Sequence, residues 1–198
     1  QSIDGYFIHM PGIYIAYPSN ASDAKGLLKM ACRMNDPVLF MEHKGLYRQG
    51  YAATKEPDID YIIPFGKGRL VSKGKYLTLV TWGAMVQKSS EAVQELDLKE
   101  DTVEIIDLRT LNPIDFEILD TSIKKTGKLL IVHEDNLTNG PGAEIAAIIS
   151  NKYFEYLDGP IRRIAAKDSP IPFNWIIEEK ILPQTKDILY AIEELLEY

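Results

Sequence analysis

The stretch Leu77-Thr78-Leu79-Val80-Thr81-Trp82-Gly83-Ala84-Met85-Val86 decides the fold. Its first five residues are an apolar, β-branched run of strand length, and Gly83 interrupts it. Val86 then opens a helical spacing that Ala92, Val93 and Leu96 continue. The same unit recurs downstream. Val103 to Leu108 reads as a strand, followed by a helix through Phe116, Ile118, Leu119 and Ile123 that Asp115 caps and Gly127 ends. Leu129-Leu130-Ile131-Val132 is a third strand, and Ile145, Ala146, Ile148 and Ile149 mark a helix after Gly142. Ile161 to Ala165 is a fourth strand, which Arg162 and Arg163 identify as an edge. A last helix spans Thr185 to Leu196, with Ile188, Leu189, Ile192 and Leu195 on one face. Strands apolar on both faces, alternating with helices, predict an α/β fold with an open, doubly wound, mostly parallel sheet. Residues Phe65 to Val71 add an antiparallel edge. Ligands in such sheets meet the carboxyl ends of the strands, which here carry Trp82-Gly83, Arg109-Thr110 and His133-Glu134.

Upstream the texture changes. Ser19 and Asn20 are caps for a helix from Asp23 to Met34, with Leu27, Leu28, Ala31 and Met34 on its apolar face. Pro37 stops it, and Val38-Leu39-Phe40-Met41 reads as a buried strand. The polar stretch from Gly45 to Pro64 reads as a linker or a long surface crossing. The predicted division is therefore 1–44, a linker at 45–61, and a main domain at 62–198. One strand and one helix cannot make a core, so residues 1–44 are expected to pack onto the main domain or onto a second copy.

The bulk numbers narrow the class. The 198 residues are 45% hydrophobic and 26% charged, as in soluble globular proteins, and the formal net charge is −7. That charge argues against nucleic acid and favours basic partners. No apolar run is long enough for a membrane span, and the amino terminus lacks the pattern of a signal peptide. The single cysteine, Cys32, excludes an internal disulfide and fits a reducing compartment. The first residue is Gln1 rather than Met, which reads as a fragment of a longer chain or a processed one.

Chemistry is sparse along the chain. His133 and Glu134 are adjacent on a strand and so face opposite ways. They form an acid–base pair, or His133 simply bonds to a neighbouring loop. Gly140-Pro141-Gly142 opens a helix and either holds an anion or permits a tight entry, but the spacing is neither a dinucleotide fingerprint nor a P-loop. Glu42-His43-Lys44, with Tyr47 and Arg48, line a pocket or form a polar loop. His9, His43, His133 and Cys32 lack metal-ligand spacing. No Gly-x-Ser-x-Gly elbow is present. Glu178, Glu179, Glu193, Glu194 and Glu197 form a solvated face or a docking face.

A colinear set of runs carries a resemblance: Gln1-Ser2, His9-Met10-Pro11-Gly12, Asp23-Ala24-Lys25-Gly26-Leu27-Leu28, Glu42-His43-Lys44 and Leu46-Tyr47-Arg48. Pro64-Phe65-Gly66-Lys67, Thr81-Trp82-Gly83-Ala84, Ile106 to Pro113, Val132-His133-Glu134 and Asp168-Ser169-Pro170 extend it over nearly the whole chain. Together they resemble the β subunit, or β half, of thiamine-diphosphate-dependent 2-oxo acid dehydrogenases. Trp82-Gly83, Ile106-Asp107-Leu108 and Leu137-Thr138-Asn139-Gly140 resemble the 2-oxoisovalerate (branched-chain) type more than the pyruvate type.

The resemblance implies a transketolase C-terminal-like domain preceded by the tail of a pyrimidine-binding domain. It implies an oxidoreductase that decarboxylates a 2-oxo acid and acylates a lipoyl arm within a multienzyme complex. Thiamine diphosphate and Mg²⁺ would be held mainly by an α subunit or α half, with the catalytic residues upstream of Gln1 and none in this chain. A potassium site would use carbonyls around Ala31, Cys32, Met34 and Asp36. Asp158 and the carboxylate of Tyr198 would contact the basic subunit-binding domain of a dihydrolipoyl acyltransferase, and a second β copy would complete a heterotetramer. The setting implied is bacterial cytoplasm or mitochondrial matrix. The alternatives are a non-catalytic dimerisation and docking module, or a relative of transketolase or deoxyxylulose-phosphate synthase.

Overall fold

The structure is a computed structural model that describes residues 2–96 and 101–198. Gln1 of the Gln1-Ser2 run lies outside the described residues. Seven helices and eight strands alternate along them: α1 (Asp4–Ile8), β1 (Tyr14–Ala16), α2 (Ala21–Ala31), β2 (Val38–Phe40), β3 (Arg69–Ser72), β4 (Leu77–Thr81), α3 (Met85–Glu95), β5 (Val103–Asp107), β6 (Thr110–Asn112), α4 (Phe116–Thr126), β7 (Leu129–Asn136), α5 (Pro141–Lys152), β8 (Arg162–Ala166), α6 (Trp175–Ile181) and α7 (Thr185–Leu196).

The main sheet has the order β3-β5-β4-β7-β8. Its four pairings obey the expectation: β4 runs parallel to β5 and β7, β7 parallel to β8, and β3 is the antiparallel edge against β5. The period of two along each strand sorts side chains into two layers. Val80, Ile106, Leu129 and Ile131 meet Leu119 and Ile123 of α4 and Ile145 and Ile149 of α5. Leu77, Leu79, Ile105, Leu130 and Val132 meet Met85 and Ala92 of α3 and Ile188, Ile192 and Leu195 of α7. Helices therefore cover both faces, which is the doubly wound arrangement read from the sequence.

Local chemistry fixes the helix ends. The Asp115 carboxylate accepts from the backbone N–H groups of Glu117 and Ile118, and Gly127 closes α4 in the left-handed conformation at φ 69°. Asn20 rather than Ser19 caps α2, accepting from the Asp23 N–H.

A second, three-stranded sheet has the order β2-β1-β6, with β1 parallel to β2 and antiparallel to β6. The chain leaves the main sheet at Asp107 and enters the small one at Thr110, so β6 ties the amino-terminal segment to the main domain. Ile15 and Tyr17 belong to the same apolar layer as Val80, Trp82 and Leu119. Two readings are corrected. The strand at Val38 is not buried: all three residues of β2 are half-buried, because it forms an edge with one hydrogen-bonded neighbour. The third main strand does not end at Val132 but continues to Asn136, so His133 and Glu134 lie inside it.

Candidate functional site

The junction between the two sheets holds two buried polar clusters and one groove. The first cluster is ionic. Asp23, near the start of α2, points both carboxylate oxygens at arginines: Oδ1 lies 3.0 Å from Arg109 Nη2 and Oδ2 lies 3.3 Å from Arg69 Nε. Arg69 Nη2 also donates to Asp107 Oδ2 at 3.0 Å. Ser19 donates to the same oxygen at 2.5 Å, and the Arg109 backbone N–H donates to Asp107 Oδ1 at 3.0 Å. Arg109 adopts φ 59°, a left-handed conformation that costs a non-glycine residue about 1–3 kcal/mol and persists only where its surroundings demand it. Two carboxylates and two guanidiniums thus pair across the junction. Burial raises the Asp107 carboxyl above its ordinary value, and the Ser19 hydroxyl and Arg69 charge pull it back.

The second cluster gathers at the carboxyl ends of β4 and β7. Asp4 is fully buried at the start of α1, and its Oδ2 accepts from Trp82 Nε1 at 2.9 Å. The Ser2 hydroxyl donates to Asp4 Oδ1 at 3.2 Å. Burial pushes the Asp4 carboxyl up to about 6, with the Trp82 hydrogen bond opposing and the charge of Asp135 adding. Asp135 itself accepts from the Gly5 N–H at 2.7 Å. Trp82 stacks on His133 with ring centroids 5.3 Å apart and planes within 6°.

His133 does not bond to a loop. It is fully buried, and among the described residues neither ring nitrogen has a side-chain partner, the Asp135 backbone being its one polar support. Burial, helped by the charge of Arg163, pushes it down to about 3, so the ring is neutral near pH 7. The glycines at the start of α5 make room for that ring. A Cβ on Gly142 would lie 2.6 Å from His133 Nε2, and one on Gly140 would lie 2.7 Å from His133 Cε1. Packing therefore accounts for Gly140-Pro141-Gly142. The first turn of α5 also carries Glu144, which disfavours an anion at that end.

His133 and Glu134 point apart, as alternation requires. Glu134 pairs across the junction with His43, Oε2 to Nε2 at 2.7 Å, and that hydrogen bond raises the histidine above its ordinary value. His43 in turn lines a groove of about 420 Å³ together with Glu42, Tyr47, Arg48, Asn20 and Ala24. The Tyr47 hydroxyl donates to Glu42 at 2.8 Å across it. Of the Glu42-His43-Lys44 reading, the first two residues line the groove and Lys44 does not.

The remaining candidate residues lie elsewhere. Ala31, Cys32, Met34 and Asp36 occupy the turn that ends α2, where the Ala31 carbonyl accepts from the Met34 N–H; Cys32 and Asp36 are exposed. Asp158 is exposed, its N–H donating to the Gly127 carbonyl at 2.7 Å. Its neighbour Gly159 lies against Tyr198, which is 63% exposed. The structure thus brings Asp158 and Tyr198 to one patch, far in sequence and close in space. Among the described residues no group of three or more His, Cys, Asp or Glu is placed to hold a metal ion. No helix among them is long and apolar enough to cross a membrane.

Sequence reasoning gave no site role to Asp4, Asp23, Arg69 or Asp107. The available signal was a charged residue inside or beside an apolar run, as in Ile105-Ile106-Asp107-Leu108-Arg109.

Two family models match the chain. Residues 2–49 match the transketolase pyrimidine binding domain, and residues 66–188 match the transketolase C-terminal domain. The chain is 40% identical over 198 residues to the mitochondrial 2-oxoisovalerate dehydrogenase subunit beta 2 of Arabidopsis thaliana, covering 100% of this chain and 54% of that protein. It is 39% identical over 193 residues to the pyruvate dehydrogenase E1 component subunit beta of Rhizobium meliloti, covering 98% and 42%. It is 39% identical over 198 residues to the same-named subunit of Staphylococcus epidermidis, covering 100% and 60%. It therefore spans about half the length of the curated relatives it matches. A solved structure titled "Split gene transketolase, inactive beta4 tetramer" superposes with a TM-score of 0.79 at 23% identity, over 98% of this chain and 61% of that one. That likeness concerns the fold. The C-terminal match covers more than half of the sequence, and the chain belongs to the transketolase C-terminal domain family.

Proposed function

We propose that this chain is the C-terminal portion of the β subunit, or β half, of a thiamine-diphosphate-dependent 2-oxo acid dehydrogenase, with 2-oxoisovalerate preferred over pyruvate. The observation that carries the reading is identity of 38–40% along all or nearly all of the chain to β subunits of 2-oxoisovalerate and pyruvate dehydrogenases. Residues 1–44 are the tail of the pyrimidine-binding domain, 45–61 a linker, and 62–198 the C-terminal domain. The portion's own work is assembly with an α partner and a second β copy, and docking of an acyltransferase.

Thiamine diphosphate supplies the electron sink for decarboxylation when bound. The resemblance assigns the diphosphate and Mg²⁺ to the α side, so the reading routes no step through this chain. The carbonyls around Ala31, Cys32, Met34 and Asp36 are assigned a structural potassium ion. What the described residues contribute is rigidity: the Asp23–Arg109 and Asp23–Arg69 pairs and the Ser19–Asp107 hydrogen bond hold the pyrimidine-domain tail in one register on the main sheet. Docking rests on the exposed Asp158 and Tyr198 sharing a patch on an acidic protein, which suits a Lys/Arg-rich module.

The test is reconstitution of the chain's parent protein with an α-type partner and an assay of 2-oxo acid decarboxylation with and without thiamine diphosphate. Cofactor-dependent turnover, faster with 2-oxoisovalerate than with pyruvate, is expected; no turnover of either substrate would reject the reading. For docking, Asp158→Ala should weaken acyltransferase binding, and unchanged affinity would remove Asp158 from the interface.

A further inference from the structure

Helix α1 is only five residues long, too short to hold itself together by its own hydrogen bonds. Its attachment to the main sheet is polar as well as apolar. Asp4 reaches Trp82 at the end of β4, and the Gly5 N–H reaches Asp135 at the end of β7. Asp4, like Asp135, is a carboxyl with no cationic partner among its recorded contacts, and of the two it is the more deeply buried. What faces it is Trp82, Ser2, Tyr17, Asp135 and Glu134. The two neighbouring carboxylates repel an ionised Asp4, and Glu134 is itself engaged by His43. His133, on the far side of the Trp82 ring, is neutral and offers no compensating charge.

A neutral carboxyl in that position keeps an oxygen for the Trp82 N–H and loses the repulsion. An ionised one must sit without water and without a counter-charge, which disfavours it. We propose that Asp4 is a proton-responsive latch: protonated, it seats α1 on the carboxyl ends of β4 and β7, and ionised, it weakens that seat. The inference goes beyond the proposed function and does not depend on it.

The shift of the Asp4 carboxyl from 3.8 to about 6 sets the size and the window. Two pH units correspond to about a 100-fold change in the equilibrium between seated and released α1. The change runs across pH 4 to 6, and the seat is firmer on the acid side. His133 titrates below this window and Tyr17 far above it. His43 is raised from 6.5 and needs a control, and the facing carboxylates Asp135 and Glu134 need their own.

The experiment uses the full chain carrying Trp175→Phe, so that Trp82 is the sole tryptophan. Its fluorescence and the hydrogen exchange of amides 4–9, corrected for intrinsic rates, are followed from pH 4 to 7.5. The latch predicts one transition whose upper limit is near pH 6, with protection falling on the order of 100-fold toward higher pH. Asp4→Asn, which keeps the acceptor oxygen and cannot ionise, should abolish it and stay protected throughout. His43→Gln should leave it in place. A transition that survives Asp4→Asn, or that vanishes with His43→Gln, would overturn the proposal. Aspartate-selective carboxyl ¹³C NMR on the unmodified chain gives an answer even if the Asn variant does not fold: one aspartate must titrate near pH 6, and none doing so refutes the latch.

Discussion

The two apolar layers of the main sheet and the polar seam beside it are built on opposite principles. In the layers, residues two apart on a strand meet helix faces, and every large contact is of the same kind: Leu130 and Val132 on Ile192 and Leu195, Ile131 on Ile145 and Ile149. In the seam, each contact is singular. Asp23 needs both arginines, Asp4 needs Trp82, and His43 needs Glu134. Layers tolerate exchange of one hydrocarbon for another of similar volume. A seam of paired charges does not tolerate losing one member, because the other is left buried and alone.

The sharpest way to break that comparison is to remove one seam cation. Arg109→Ala leaves Asp23 with a single partner and removes a guanidinium whose side chain is only 14% exposed. We expect a loss of about 3–5 kcal/mol in denaturant unfolding. A loss below about 1 kcal/mol would mean that water already screens the seam. Within the layers, Leu130→Ala should cost about 2–5 kcal/mol by leaving a cavity. Leu39→Ala, on the half-buried edge strand β2, should cost less than half as much, and equal losses would contradict the burial contrast.

Smaller effects sharpen it. Gly142→Ala drives a methyl into the His133 ring and should cost about 1–3 kcal/mol. The companion His133→Ala should relieve most of that cost in a double-mutant cycle. No coupling between the two would show that the glycine serves the backbone instead.

The pH dependence separates Asp4 from His133 because their signs oppose. The Asp4 carboxyl is raised from 3.8 to about 6, so the folded chain holds its proton longer and stability falls as pH rises through that interval. His133 is depressed from 6.5 to about 3, so the unfolded chain holds the proton longer and stability rises with pH through its interval. Between pH 4 and 6 the two slopes, each up to about 1.4 kcal/mol per unit, work against each other. Asp4→Asn should therefore expose a stability that climbs with pH there, and His133→Phe one that declines. Parallel profiles for the two variants would contradict the assignment.

The same contrast explains what was legible in the sequence. The five-stranded sheet was, because Leu77–Thr81, Val103–Asp107 and Leu129–Val132 each declare themselves locally by period and composition. The antiparallel edge at Arg69–Ser72 and the edge strand at Arg162–Ala166 were legible too, through their position and their charges. Helix α1, with five residues, and strands β1 and β6, with three each, are too short to show a period. The seam was illegible for a different reason. Ser19 and Asp107 are 88 residues apart, Asp4 and Trp82 are 78 apart, and Gly5 and Asp135 are 130 apart. No local pattern announces such pairs. Even His133, singled out from the start, was misread because its stacking partner Trp82 lies on another strand.

The groove lined by His43 was half legible. Glu42, His43, Tyr47 and Arg48 cluster in sequence, but its other wall comes from Asn20 and Ala24 on α2.

The most direct test of the functional account is a calorimetric titration of thiamine diphosphate and Mg²⁺. One arm uses this chain alone, and the other uses the chain joined to a complete pyrimidine-binding domain and assembled with an α-type partner. The account predicts saturable, Mg²⁺-dependent heat only in the assembled form. Binding of the same affinity to the chain alone would contradict it and place a cofactor site among the residues of this domain.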